Sequence, residues 1–147
     1  MFTGNKKIRV KTICLFCDDN DIFVSKAYDS VKKDFYFRPI GGTNEFGEYS
    51  EDTLKREISE ELGTTIKNIK LETVCENIFT CDGLDGHEIV FIYSAEFVDE
   101  KYYERKIFEI KEDNGEIFEA CWINEEEFGS RKLRLVPEKL NTYLNIL

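Results

Sequence analysis

The segment GGTNEFGEYSEDTLKREISEELG, residues 41–63, constrains this chain more than any other. Ser50 is a good N-cap, Glu51 and Asp52 follow in the first turn, where the helix dipole favours negative charge, and Gly63 supplies a stop. One well-marked helix is predicted between them. At about 100° per residue, Leu54, Ile58 and Leu62 form an apolar stripe that must be buried against another element. Glu57, Glu60 and Glu61 fall in the neighbouring arc, so three carboxylates share a face that borders the core. Just ahead, Gly41 and Gly42 let the backbone turn tightly.

What the stripe packs against is written in the flanking residues. Residues 7–17 and 22–27 read as strands joined by the polar turn DDND, and residues 35–40 as a third strand running into the glycines. After the helix, residues 69–79 and 87–97 read as strands around CDGLDG, and residues 107–110 and 117–123 as a further pair around EDNG. Pro137 suits the first turn of a C-terminal helix. The expected fold is α+β, a mixed sheet with a helix in the middle of the chain and another at the end. At 147 residues, without repeat, linker or biased tract, a single domain over residues 1–147 is expected.

Charge and composition narrow the partners. A net charge of -10 disfavours binding along a nucleic-acid backbone, which depends on Lys and Arg displacing counterions, and a small anionic ligand would need a bridging cation. The apolar runs are too short to span a bilayer, and no h-region opens the chain, so a cytoplasmic location is expected. The five cysteines, Cys14, Cys17, Cys75, Cys81 and Cys121, read as small buried hydrophobes rather than metal ligands or a redox pair. DDNDIF and DGLDG lack the Gly and distant Glu of a calcium loop and read as turns.

Like charges at i, i+3 and i+4 repel, the more so at the partly buried edge of a stripe. A hard divalent cation relieves that repulsion, since Mg²⁺ and Mn²⁺ prefer oxygen ligands and accept a carboxylate set completed by water and substrate phosphate. The glycine turn lets a main-chain carbonyl approach the same ion. The competing expectation for an acidic helix is a solvated face that binds nothing.

The order of residues decides between the two. Gly42, Glu48 five residues further on, and then Arg56-Glu57-Ile58-Ser59-Glu60-Glu61-Leu62-Gly63 resemble the signature of the Nudix hydrolases, G-x5-E-x7-R-E-U-x-E-E-x-G-U, with U bulky and apolar. The final U departs from the pattern, being Thr64. The later stretch GEIFEACWI is also similar to the family, so the resemblance extends beyond the motif.

This resemblance implies an α/β/α sandwich that hydrolyses a nucleoside diphosphate linked to another group X, with Mg²⁺, or Mn²⁺ in its place, as cofactor. It implies Glu57, Glu60 and Glu61 as metal ligands, the carbonyl of Gly41 as a further contact, and Glu57 or Glu60 as proton acceptor. Arg56 and Glu48 would brace the loop against the helix. An acidic residue ahead of the Trp is expected to join them, Glu116 before Glu119. Arg38, Gly42 and His87 are the candidate substrate contacts, whereas Lys32, Lys33 and residues 131–134 read as solvated charge. Many members are dimers, which leaves a homodimer open.

Residues 65–92 hold neither the Pro of members favouring ADP-ribose nor the Tyr of dinucleoside polyphosphate hydrolases. Nucleoside triphosphates are thereby favoured as substrates. The alternatives are those two substrate classes and a regulatory module that binds a nucleotide without turnover.

Overall fold

A computed structural model describes residues 6–112, 114–130 and 132–144. The strands are β1 (Ile8–Leu15), β2 (Cys17–Asp18), β3 (Asp21–Asp29), β4 (Asp34–Thr43), β5 (Ile66–Cys81), β6 (Leu84–Phe97), β7 (Phe108–Lys111) and β8 (Ile117–Asn124). The α-helices are α1 (Ser50–Leu62), α2 (Glu125–Gly129) and α3 (Lys139–Tyr143), and a 3₁₀ turn covers Glu100–Tyr103. The strand order is β5-β6-β1-β4-β3-β8-β7, with β2 paired to β3. Among the named strands β1 and β6 pair parallel and the other pairs are antiparallel, so the sheet is mixed as expected.

β4 changes partner along its length. Its first half pairs with β3, from Asp34 opposite Asp29 to Pro39 opposite Val24. Its second half pairs with β1, from Ile40 opposite Cys14 to Thr43 opposite Lys11. The proline at the crossover lacks the N–H that a continuous ladder would use. The two parts of the sheet therefore meet along β4, and the cleft described below is lined from both.

One face of the sheet is covered by α1. Leu54 and Ile58 are fully buried there with Cys14, Phe16, Phe23, Ile40, Tyr93, Phe97 and Trp122. Phe16 and Phe97 stack at 3.9 Å between centroids, and Phe23 meets Phe97 edge-on. Burial of each such side chain contributes roughly 1.5–3 kcal/mol, so the apolar stripe of α1 fixes which way its acidic face points. On the other face, Ile13, Leu15, Ile22, Val24, Phe37, Val90 and Ile92 pack beneath Phe128 of α2, Leu140 of α3 and Leu135. Helices on both faces make the α/β/α sandwich.

Several local expectations are corrected. Tyr49, not Ser50, is the N-cap, and no side chain caps the helix. Ser50 is already helical, and its hydroxyl is hydrogen-bonded to that of Tyr93. Gly63 ends the helix at φ 67°, a conformation that favours glycine. β5 and β6 form a longer hairpin than the residue pattern suggested, closed at Asp82 and Gly83, both with positive φ, as an Asp-Gly turn allows. Cys17 is exposed, because β1 ends before it and β2 begins a separate hairpin; all five cysteines are free thiols. Residues 145–147, the end of the expected C-terminal helix, lie outside the described residues. Among the described residues no helix is long and apolar enough to cross a membrane.

Candidate active site

The glycines ahead of α1 are required by close approach. A Cβ on Gly41 would strike the Thr12 carbonyl oxygen, and one on Gly42 would strike the carboxylate of Glu57. Gly41 thus lets β4 close on β1, and Gly42 lets the Glu57 carboxylate of α1 lie against the strand end.

Glu57 and Glu61, one turn apart, are 7% and 8% exposed. Their carboxyl groups lie within hydrogen-bond reach of each other. Burial raises the pKa of Glu57 above the usual carboxylate range. It pushes Glu61 up to about 9, with further contributions from the charge of Glu112 and from the pairing with Glu57. Glu61 Oε1 is buried without a hydrogen-bond partner among the described residues. A buried acid with an unused oxygen is costly unless a ligand completes it.

Arg56 holds the loop to the helix. Its Nε and Nη2 donate to the two oxygens of Glu48 at 2.8 and 3.0 Å, a bidentate pair. Nη2 also donates to the Thr43 carbonyl, and Nη1 donates to Glu57 Oε1 at 2.8 Å. The Arg56 guanidinium, helped by the Thr53 hydroxyl, holds Glu48 down to about 2. Glu60 stands apart from the buried pair: it is exposed and meets Arg56 at 3.3 Å from outside.

These groups open on a cleft of about 1080 Å³ lined by Arg38, Gly41, Gly42, Arg56, Glu57 and Glu61 among others. Three expected contacts, Glu60, His87 and Glu116, are absent from its lining. His87 sits on β6 between Ile8 and Ile78 with its Nε2 buried and without a partner among the described residues, and alternation turns Glu88 into the cleft in its place. Glu116 is exposed in the turn between β7 and β8, bonded to Asn114, and Glu119 is exposed on β8. The acidic residue ahead of the Trp that does reach the cleft is Glu112, just past β7, where it pairs with Arg38 at 3.5 Å.

Residues read as solvated charge also line the cleft. Lys32 donates to the Thr80 carbonyl at 2.8 Å, and the Arg134 guanidinium lies over the Tyr36 ring at 5.4 Å. Lys33 is exposed, and Arg131 falls outside the described residues. Lys11 and Arg9 enter the cleft from β1, and a signal for them was present: two cations at alternate positions of a mostly apolar strand.

Among the described residues no group of three or more carboxylate, His or Cys side chains is already gathered as a metal site. Arg56 Nη1 donates to Glu57 Oε1 and also to Glu60 Oε2 at 3.3 Å, so one guanidinium nitrogen engages both carboxylates. The parts nonetheless fit a hard divalent cation: all-oxygen donors, two adjacent buried carboxyls, an orphaned Oε1 and a glycine-cleared approach.

The sequence pattern of the NUDIX domain matches residues 7–145. Solved structures share the fold. A mutator MutT protein from Bacillus halodurans superposes with a TM-score of 0.61 at 19% identity, over 93% of this chain and 80% of that one. A MutT NUDIX hydrolase from Burkholderia pseudomallei gives 0.60 at 21% identity, over 82% and 85%. A NUDIX hydrolase from Nitrosomonas europaea gives 0.59 at 18% identity, over 95% and 91%.

Proposed function

Because this chain belongs to the Nudix hydrolase family, a family of pyrophosphohydrolases, we propose that it cleaves a phosphoanhydride bond in a nucleoside diphosphate linked to another group, with Mg²⁺ as cofactor and Mn²⁺ as a substitute. The observation that carries this reading is the buried Glu57–Glu61 pair, with its orphaned oxygen, at the wall of a cleft large enough for a nucleotide. Glu57 and Glu61 would hold the ion, with the Gly41 carbonyl beside them. Bound there, the ion supplies charge neutralisation at the phosphoryl group and acidifies a water.

The remaining work belongs to this chain. Arg56, fixed by Glu48 and Thr43, keeps Glu57 at the cleft wall and limits its rotamers. Water oxygen attacks phosphorus, the bridging P–O bond breaks, and the proton of the water passes to a cleft carboxylate. Glu112 fits that role because it faces Glu61 across the cleft, whereas His87 and Glu116 lie elsewhere. Arg38 holds Glu112 in place and stands ready for a phosphate. The two products leave as phosphate monoesters or as a monoester and pyrophosphate, and no covalent enzyme intermediate is required.

Nucleoside triphosphates are the favoured substrate class, since residues 65–92 lack the Pro and the Tyr noted above. The free thiols accord with a cytoplasmic location. Incubation with a nucleotide panel and Mg²⁺, followed by phosphate and pyrophosphate release, tests the reading. Turnover that falls at least tenfold in Glu61→Gln with the fold intact supports it. Full activity in that variant removes Glu61 from the site.

A further inference from the structure

A row of polar side chains crosses the cleft on three neighbouring strands, β5, β6 and β1. Asn77 stands directly opposite Glu88, and Glu88 directly opposite Arg9, so the three share one face of the sheet. Arg9 Nη2 donates to Glu88 Oε2 at 3.2 Å, and Asn77 Nδ2 donates to Glu88 Oε1 at 3.4 Å. On β6 the same face carries Gly86 before Glu88 and Val90 after it. A Cβ on Gly86 would strike the Phe79 ring, so that ring lies folded over the glycine. Phe79 and Val90, both in the cleft wall, therefore bound the row with apolar surface.

Stability alone does not call for this row. Glu88 is buried, and replacing a buried ion pair by apolar side chains of similar volume is commonly neutral or stabilising. Its bonding capacity is also unfilled: an ionised carboxylate has about four lone-pair sites, and among the described residues Glu88 accepts two hydrogen bonds. The Asn77 amide must turn its nitrogen to Glu88, because its oxygen would face a carboxylate, and that nitrogen carries a second hydrogen. The order across the row is thus donor, acceptor, donor.

An edge that completes it reads acceptor, donor, acceptor. Among the common nucleobases that order belongs to the imide of uracil and thymine, where N3–H lies between two carbonyl oxygens. Cytosine and adenine put a bare ring nitrogen against the carboxylate, and guanine presents two adjacent donors. The row also stands at a suitable distance from α1. From Glu88 to Gly42, which lies against the Glu57 carboxylate, there are two strand spacings and three residues along β1, or about 14 Å, a span that an extended nucleoside triphosphate covers.

We propose that Arg9, Glu88 and Asn77 read the base of the substrate and select the imide edge of uracil or thymine, while its phosphates reach the α1 carboxylates. This deepens the hydrolase reading and rests on it for the place of the phosphates. Glu88 accepts from N3–H, and Arg9 and Asn77 donate to the flanking carbonyls. The apolar flanks keep water from these bonds, which strengthens them.

The test is calorimetric binding of UMP, CMP, AMP, GMP and ribose 5-phosphate to the whole chain in EDTA, where no turnover occurs, with Glu88→Gln and Asn77→Val as variants. The parent is expected to bind UMP at least about tenfold more tightly than the other three nucleotides. In Glu88→Gln the side-chain carbonyl keeps the Arg9 bond and the new amide turns Asn77 over, so the row becomes donor, donor, acceptor, which matches cytosine. The ratio of UMP to CMP affinity should therefore fall by about tenfold or more. Asn77→Val lies on an edge strand that tolerates it and should weaken UMP by about fivefold or more, with ribose 5-phosphate unchanged in both variants. A parent that binds any of the other nucleotides as tightly as UMP overturns the proposal. So does an unchanged UMP to CMP ratio in folded Glu88→Gln, or an equal loss of UMP and ribose 5-phosphate in Asn77→Val, since a merely structural row would behave in those ways. With Mg²⁺ added, no turnover of any triphosphate beside the expected binding pattern removes the hydrolase reading and leaves the base reader; turnover without preference for UTP or dTTP does the reverse.

Discussion

The buried acid pair on α1 makes folding stability depend on pH in a direction opposite to that of an ordinary ion-paired carboxylate. Glu61 is pushed up to about 9 in the folded chain, from an ordinary value of 4.5. Between those values the folded protein holds a proton at the pair that the unfolded chain has released. A state that binds more protons is favoured at low pH, so this contribution is fully present below the ordinary carboxylate pKa and is lost as pH rises towards the folded one. One proton of difference corresponds to about 1.4 kcal/mol per pH unit, hence about 4 kcal/mol between about pH 5.5 and about pH 8.5. That is a large part of the roughly 5–15 kcal/mol that stabilises a domain. Glu61→Gln keeps the shape and removes the titration. Urea denaturation in EDTA, followed by Trp122 fluorescence across that range, should show the parent losing stability relative to the variant by about 1.4 kcal/mol per unit. Adding Mg²⁺ at the alkaline end should stabilise the parent and leave the variant unchanged. Parallel pH profiles in EDTA, agreeing within about 0.5 kcal/mol, would refute the reasoning, because Glu61 would then ionise in place at no cost.

The other expectations concern how the site is held. Gly42→Ala sets a methyl against the Glu57 carboxylate, so kcat should fall at least tenfold with far-UV circular dichroism unchanged. Glu112→Gln should lower kcat about tenfold, while Glu116→Gln stays within about twofold, a comparison that steady-state kinetics settles. Arg56→Lys cannot reproduce the bidentate grip on Glu48 together with the bonds to Thr43 and Glu57; kcat should drop by about tenfold or more, and the carboxyl of Glu48 should titrate higher by NMR.

The helix and its neighbourhood were legible in the sequence because their requirements are local. Leu54 and Ile58 recur at helical spacing, Gly63 needs a left-handed conformation, and Gly42 marks the approach to Glu57 while Gly41 packs on the Thr12 backbone. The strands were legible as elements but not in extent, since no residue of β5 is buried and a bulge near Lys67 disturbs its alternation. What was missed depends on distant pairing. Arg134 reaches the cleft because Phe37 N–H donates to its carbonyl and Val136 N–H returns to that of Phe37, laying the C-terminal segment along β4. Nothing local to Arg134 encodes that. Glu112 and Glu116 differ only in their place around one turn, where the Glu112 N–H donates to the Glu116 carbonyl, and composition does not order them. The parity of His87 and Glu88 is likewise set by the register of β6 against β1.

The two walls of the cleft are strained in opposite senses. On α1 an acid pair is kept close and largely dry, and Arg56 cancels only part of its charge from one side. On β1 and the C-terminal segment, neither Lys11 nor Arg134 forms an ion pair with a described residue, although Glu88 and Glu112 act on Lys11 from a distance. Bringing the two sets together would relieve both, yet the fold prevents it: α1 is fixed by its apolar stripe and Lys11 by the β1–β4 register. A ligand that presents positive charge to one wall and negative charge to the other relieves both at once. A divalent cation bound to a polyphosphate has that distribution, so the sacrifice of stability in the free protein becomes binding energy for such a complex. Removing either wall alone should then stabilise the free chain and weaken its hold on the ligand.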